Sequence, residues 1–353
     1  MSGFFGHAVY AALAANEAER RKLDFAPVMR RHWANFLAGS YLGCDIQTMP
    51  EAVCVDTGRE VGYGTAPLER SPITGGPVRP YQFRFRDQAY RPRQIHEVFY
   101  GRSHLVFGWS AAERRWTLPW DHLPEYCALV VQDATELFGP GQRPLAYALG
   151  WIAHVVGDAL IKSVHPGVEL HLLDGKYTPK NRPIQDLVAF HTIGRKELGL
   201  DWSALIDAIA DTPVEPVQSH YMRVAPPRGN LAAVYSDAWL PQQQDLLQAV
   251  MAENRRYFRI WTRLEYDLLQ LRQTSAGWEC HEDLSRLTGG LSCADMMQAA
   301  EQAGLRTAIG QIAKRIVDIW DEVARLNSWH VKAAGDGDWP KGAGNSALYR
   351  LRN

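Results

Sequence analysis

A chain of 353 residues, 46% hydrophobic and 22% charged, has enough apolar content for a large buried core. Its formal net charge of −1 supplies no bulk field for nucleic acid or an acidic membrane, so a phosphate-bearing partner has to be read at a local site. Five cysteines, odd in number and without a CxxC pair, argue against a disulfide scaffold or a thiolate zinc site and fit reduced thiols in a cytoplasmic protein. Helical periodicity begins at once. Residues 7–20 read as a helix with Val9, Leu13 and several alanines on its apolar face. The opening before it is apolar, but its first fifteen residues lack Lys and Arg and make a poor secretory signal. Residues 26–42 read as a second helix ending near Gly43. Residues 46–95, rich in Pro, Gly, Arg and Tyr, read as a long irregular excursion of a kind that often carries function.

Helical patterns resume over 96–108 and 122–137. Pro144 suits the first turn of a helix running to about residue 164, and Pro166 stops it by disfavouring helical angles at His165. A loop over 174–183 leads to a helix over 184–197, and 212–230 forms a second long loop. Two long helices follow, over 238–272 and 292–327. In the latter, Leu305, Ile309, Ile312, Ile316, Ile319, Val323 and Leu326 recur at helical spacing and make a packing face. Repeats and runs of transmembrane length are missing from this pattern, and convincing strands are few. The expected class is all-α, a multi-helix bundle. Its core spans 1–211, C-terminal helices over 212–335 pack on that core as one continuous domain, and a loose Gly-rich tail occupies 336–353.

The stretch from Ala148 to Pro166 is the most informative. It sets His154, Asp158 and His165 into an otherwise apolar helix. At about 100° per residue these three project at roughly 0°, 40° and 20°, so they share one face. A lone histidine on such a face is usually a hydrogen-bonded core residue, and His154 can also pair with Asp158 across one turn. Two imidazoles and a carboxylate together suit a metal such as zinc. Further candidate donors precede this helix: His7 at the mouth of the first helix, Asp45 after the second, and His96 and His104 flanking 97–103.

Taken in order, this set resembles the zinc-dependent phospholipase C and P1-type nuclease superfamily, over roughly residues 1–200. The resemblance rests on the His-x-x-x-Asp helix with a His just beyond its end. It implies an all-α bundle around two or three Zn2+ ions that cleaves a phosphate ester or phosphodiester. By that resemblance Asp45, His104, His154 and Asp158 hold one metal, with His96 the alternative to His104. Asp158 bridges to a second metal that His7 helps to hold, and the amino terminus completes that second site in the family. His165 starts a third site. There the family's next two ligands fall on Asn181 and Gln185, carboxamides that are poor zinc donors, so a two-metal centre is expected ahead of a three-metal one. Asp186 and His191 are the substitutes for that position.

The implied chemistry is hydrolytic. Paired cations produce hydroxide near neutral pH and draw charge from phosphoryl oxygens. Asp45 orients or deprotonates the attacking water, while Lys162, Lys176 and Arg182 are candidate phosphate ligands that compete with a reading as solvated surface charge. The substrate class is a lipid, nucleotide or small-metabolite phosphate ester. Histidine and carboxylate donors also suit iron or manganese, and with them lyase or redox chemistry. A helical binding protein with a structural or lost metal is the reading from a different class.

Overall fold

The computed structural model describes residues 3–42, 49–63, 68–71, 74–92, 109–110, 115–116, 123–125, 127–128, 131, 141–161, 182–212, 240–275 and 277–327. Helix accounts for 68% of these, and the strands are short and confined to small sheets, so the all-α expectation holds for the class with sheets added to it. Of the helices expected over 96–108 and 122–137, residues 123–125, 127–128 and 131 are described, and they are helical.

Helix α1 (Phe4–Arg20) begins three residues before its expected start, and from Phe4 to Ala12 every side chain is buried. Its alanines let neighbours approach from several sides, which makes it a core helix instead of an amphipathic surface one. The single helix expected over 26–42 is two, α2 (Ala26–Arg31) and α3 (Trp33–Leu42). They are divided at His32, whose φ of −119° and ψ of 48° leave the helical region.

The excursion over 46–95 is more ordered than expected. Strands β1 (Pro50–Cys54), β2 (Glu60–Tyr63) and β3 (Val78–Pro80) form an antiparallel sheet in the order β2-β1-β3, with Ala52 opposite Val61 and Pro80. A hairpin of β4 (Phe83–Phe85) and β5 (Gln88–Tyr90) follows. Met49, Val53, Tyr81 and Phe83 bury themselves against Leu246, Val250, Met251 and Tyr257 of a long C-terminal helix. The short pair β6 (Trp109–Ser110) and β7 (Arg115–Trp116) completes this part.

Helix α4 (Gln142–Ile161) carries Pro144 in its first turn as expected. Helix α5 (Arg182–Leu187) runs directly into a π-helical segment, Val188–Glu197, where an α-helix was expected throughout. Gly194 faces the indole of Trp202, and a Cβ at Gly194 would lie 2.2 Å from that ring. Trp202 opens α6 (Trp202–Ala210), donates its indole N–H to the Phe190 carbonyl at 3.0 Å, and meets Phe4 and Phe5 edge-on. Trp202→Ala is therefore expected to cost about 3–5 kcal/mol of unfolding free energy in urea titration, and Trp202→Phe clearly less.

Helix α7 (Leu240–Leu268), the hairpin β8 (Arg272–Thr274) and β9 (Gly277–Glu279), and α8 (Glu282–Leu287) follow. The helix expected over 292–327 is again two, α9 (Cys293–Gln302) and α10 (Leu305–Leu326). Gly304 separates them at φ 64°, a left-handed angle that glycine adopts without penalty. On α10 the predicted face is buried from Leu305 to Val323, while Leu326, 49% exposed, lies off it.

Helix α4 packs against α1, α3 and α10, and one buried apolar cluster runs from Phe4 to Ala324. Trp320 of α10 donates its indole N–H to the Leu149 carbonyl at 3.0 Å. The closest crossing is α3 on α4. A Cβ at Gly39 would stand 2.1 Å from the Tyr147 carbonyl oxygen, and one at Gly150 would stand 1.9 Å from that of Phe36. Each glycine admits the other helix's backbone.

Candidate metal centre

The Gly39–Gly150 crossing places Ser40 beside His154, one helical turn beyond Gly150 on the same face. The Ser40 carbonyl accepts a hydrogen bond from Nδ1–H of His154 at 2.9 Å. That bond fixes the tautomer in the neutral ring and leaves Nε2 as the donor atom for a metal. Asp158, one turn further along α4, sets Oδ2 3.9 Å from His154 Nε2. From α1, His7 brings Nε2 to 3.3 Å from Asp158 Oδ1 and stacks its ring on that of His154, with centroids 4.0 Å apart and planes 13° from parallel.

All three side chains are inaccessible to solvent. Their donor atoms lie within 4.8 Å of one another, the one such group of three or more His, Cys, Asp or Glu among the described residues. The His7–Asp158 approach is short but off the line a hydrogen bond needs, and neither ring nitrogen of His7 has a hydrogen-bond partner. Buried imidazole nitrogens are normally satisfied, and a cation is one species that satisfies them. Zinc bonds of roughly 2.0–2.1 Å in a tetrahedron would set neighbouring donors about 3.3 Å apart. The 3.3 and 3.9 Å separations here are compatible with that spacing. The donor set therefore fits a divalent cation.

His7, His154 and Asp158 are brought together as the sequence suggested. Asp45, His96, His104, Lys162, His165 and Lys176 lie outside the described residues, as does Asn181. His191 stands apart from the cluster in the π-helical segment, where its Nε2–H donates to the Leu269 carbonyl at 2.7 Å. Burial lowers its pKa. Arg182, a candidate phosphate ligand, is ion-paired to Asp186 at 3.2 Å and to Glu265 at 2.5 Å. Gln185 is buried and its carboxamide has no hydrogen-bond partner. The Ser40 carbonyl was invisible to sequence reading because a backbone atom carries no residue signature.

Asp186 has another role, at the amino end of α1. Gly3, the residue before that helix, has no capping side chain, and the Asp186 carboxylate stands against it instead. A Cβ on Gly3 would lie 2.7 Å from Asp186 Oδ2. Burial outweighs the pull of Arg182 and raises the Asp186 pKa from 3.8 to about 6. A raised acid pKa means that the folded state binds the proton more tightly than the unfolded state. The stabilising contribution is thus complete below pH 3.8 and is lost as pH rises to about 6. Against Asp186→Asn, the wild type is expected to lose relative stability across that window in urea titrations at fixed pH steps, and a flat difference would refute the assignment.

No protein family, curated protein or solved structure matches the chain.

Proposed function

We propose that this chain is a metal-dependent hydrolase that cleaves a phosphate ester or phosphodiester, with zinc held by His7, His154 and Asp158. The observation carrying the proposal is the convergence of these three buried donors from two helices. Three protein ligands is the number that catalytic zinc usually has, whereas structural zinc usually has four. A divalent cation bound there supplies an acidified water and polarises a phosphoryl oxygen. The chain's own residues do the positioning. Ser40 fixes the His154 ring through its carbonyl, Asp158 turns one carboxylate oxygen toward each imidazole, and the complete burial of all three side chains keeps bulk water away. Arg182 is already engaged by two carboxylates, so phosphate binding would fall to residues outside the described set.

Elemental analysis of purified protein, followed by turnover of bis(p-nitrophenyl) phosphate by the zinc-loaded form, tests the reading. At least one zinc per chain with turnover that a chelator abolishes is the expected result. Bound zinc without turnover would instead favour the second reading, a structural metal, which the complete burial of all three side chains supports. Bound iron with optical bands would move the chemistry to redox reactions, since two imidazoles and one carboxylate are also the donor set of non-haem iron enzymes. The resemblance to zinc-dependent phospholipase C and P1-type nucleases belongs to this proposal, as does an intracellular site of action. Among the described residues, no helix is long and apolar enough to cross a membrane.

A further inference from the structure

A groove of about 510 Å³ lies between α1 and α10, within the size range of small-molecule sites. It borders α1 from Leu13 to Arg20, roughly 10–20 Å along that helix from His7 at 1.5 Å per residue. Leu13 and Ala313 contribute apolar surface, and Gly310 keeps one position free of any side chain. Three cations, Arg20, Arg306 and Lys314, line it against one carboxylate, Glu17.

Each of the two arginines is held in place by a carboxylate. Glu197, which does not line the groove, takes Nε and Nη2 of Arg306 at 2.9 and 2.7 Å. The remaining Nη1 is left over Gly310, 3.3 Å from where a Cβ would stand. Glu17 takes Nε and Nη2 of Arg20, each at 2.7 Å, and leaves Nη1 outside that pair. The Arg20 hydrogen bonds hold the Glu17 carboxyl down at about 2, so it stays an anion committed to its arginines. Guanidiniums fixed by carboxylates lose less side-chain freedom when a second anion arrives. Thr307 and Gln311 add neutral donors beside Lys314.

We propose that this groove binds a phosphorylated small molecule, its phosphate among Arg20, Arg306 and Lys314 and its apolar part on Leu13 and Ala313. A dianion uses three cations where a carboxylate would not, and the missing side chain at Gly310 makes the room. The site is separate from the metal centre and does not depend on it.

Calorimetric titration of the metal-free full chain with phenyl phosphate, benzoate and phenol tests this. Saturable binding in the order phenyl phosphate, benzoate, phenol is expected. The double variant R306Q/K314Q is expected to weaken phenyl phosphate binding at least 10-fold. Gly310→Leu, which fills the groove without changing charge, should do the same while keeping the circular dichroism of the wild type. D158N should bind as the wild type does, which separates this site from the metal centre. Absence of saturable binding, benzoate binding as tightly as phenyl phosphate, or unchanged binding in both groove variants would overturn the proposal.

Discussion

Asp158→Asn is expected to abolish stoichiometric metal binding and, with it, phosphodiester turnover. Loss of an outer-sphere partner to a metal ligand costs about 10–100-fold in affinity or activity. Loss of the one carboxylate among these three donors should exceed that range, because it removes both a donor atom and the only negative charge in the set. The fold is expected to survive, since Asn is nearly isosteric and the change removes a charge from a site with no solvent access. Two measurements make the result interpretable. Elemental analysis should fall from at least one metal per chain to a trace, and added zinc should raise the melting temperature of the wild type but not of the variant. A variant that retains its metal would refute the assignment of Asp158, whatever its activity.

Gly150→Ala is expected to be the most destabilising glycine-to-alanine change among the described residues. The new Cβ would stand 1.9 Å from the Phe36 carbonyl oxygen and 2.9 Å from the Ser40 nitrogen, both backbone atoms that cannot rotate away. The helices α3 and α4 must part by a distance on the order of 1 Å to restore ordinary contact. Overpacking of this kind costs about 1–3 kcal/mol, and the gain in helix propensity from replacing glycine, about 1 kcal/mol, offsets only part of it. Gly39→Ala meets the Tyr147 carbonyl oxygen at 2.1 Å and should behave alike. The double variant should cost less than the sum, because one separation relieves both clashes. Urea unfolding of the three variants measures this. A second effect distinguishes the crossing from generic core damage. Parting the helices lengthens the 2.9 Å bond from His154 Nδ1–H to the Ser40 carbonyl, so zinc affinity should fall in the folded variants. Full additivity with unchanged affinity would refute this account.

How much of the chain was legible follows from which signals reside in side-chain order. The His154–Asp158 spacing, Pro144 in the first turn of α4 and the apolar stripe of α10 are local patterns, and each reads directly. His7 came with them only through its order relative to the other donors; nothing local in the first helix marks it as their partner. The breaks at His32 and Gly304 are single-residue changes of backbone angle inside otherwise unbroken periodicity. Gly304 offers a retrospective cue, but His32 offers none. Nothing in the residue order over 184–197 sets the π-helical segment apart from an α-helix. Strands β1 to β5 are three to five residues long and stand among prolines and glycines, too short for alternation to outweigh turn composition. Of the site itself, side-chain donors can be read from sequence, whereas the Ser40 carbonyl and the glycine crossing that delivers it cannot.

His7 and His154 sit on helices about 150 residues apart in the chain, and joining ends that far apart carries a large loop-closure entropy. An ion gripped by both would act as a clasp that exists only in the folded chain, so its binding free energy would offset that closure cost. Metal capture would then add stability to a core that the metal-free chain already forms. Chelation would shorten the lifetime of the fold without dismantling it, and cation supply would be read out as persistence of the folded form.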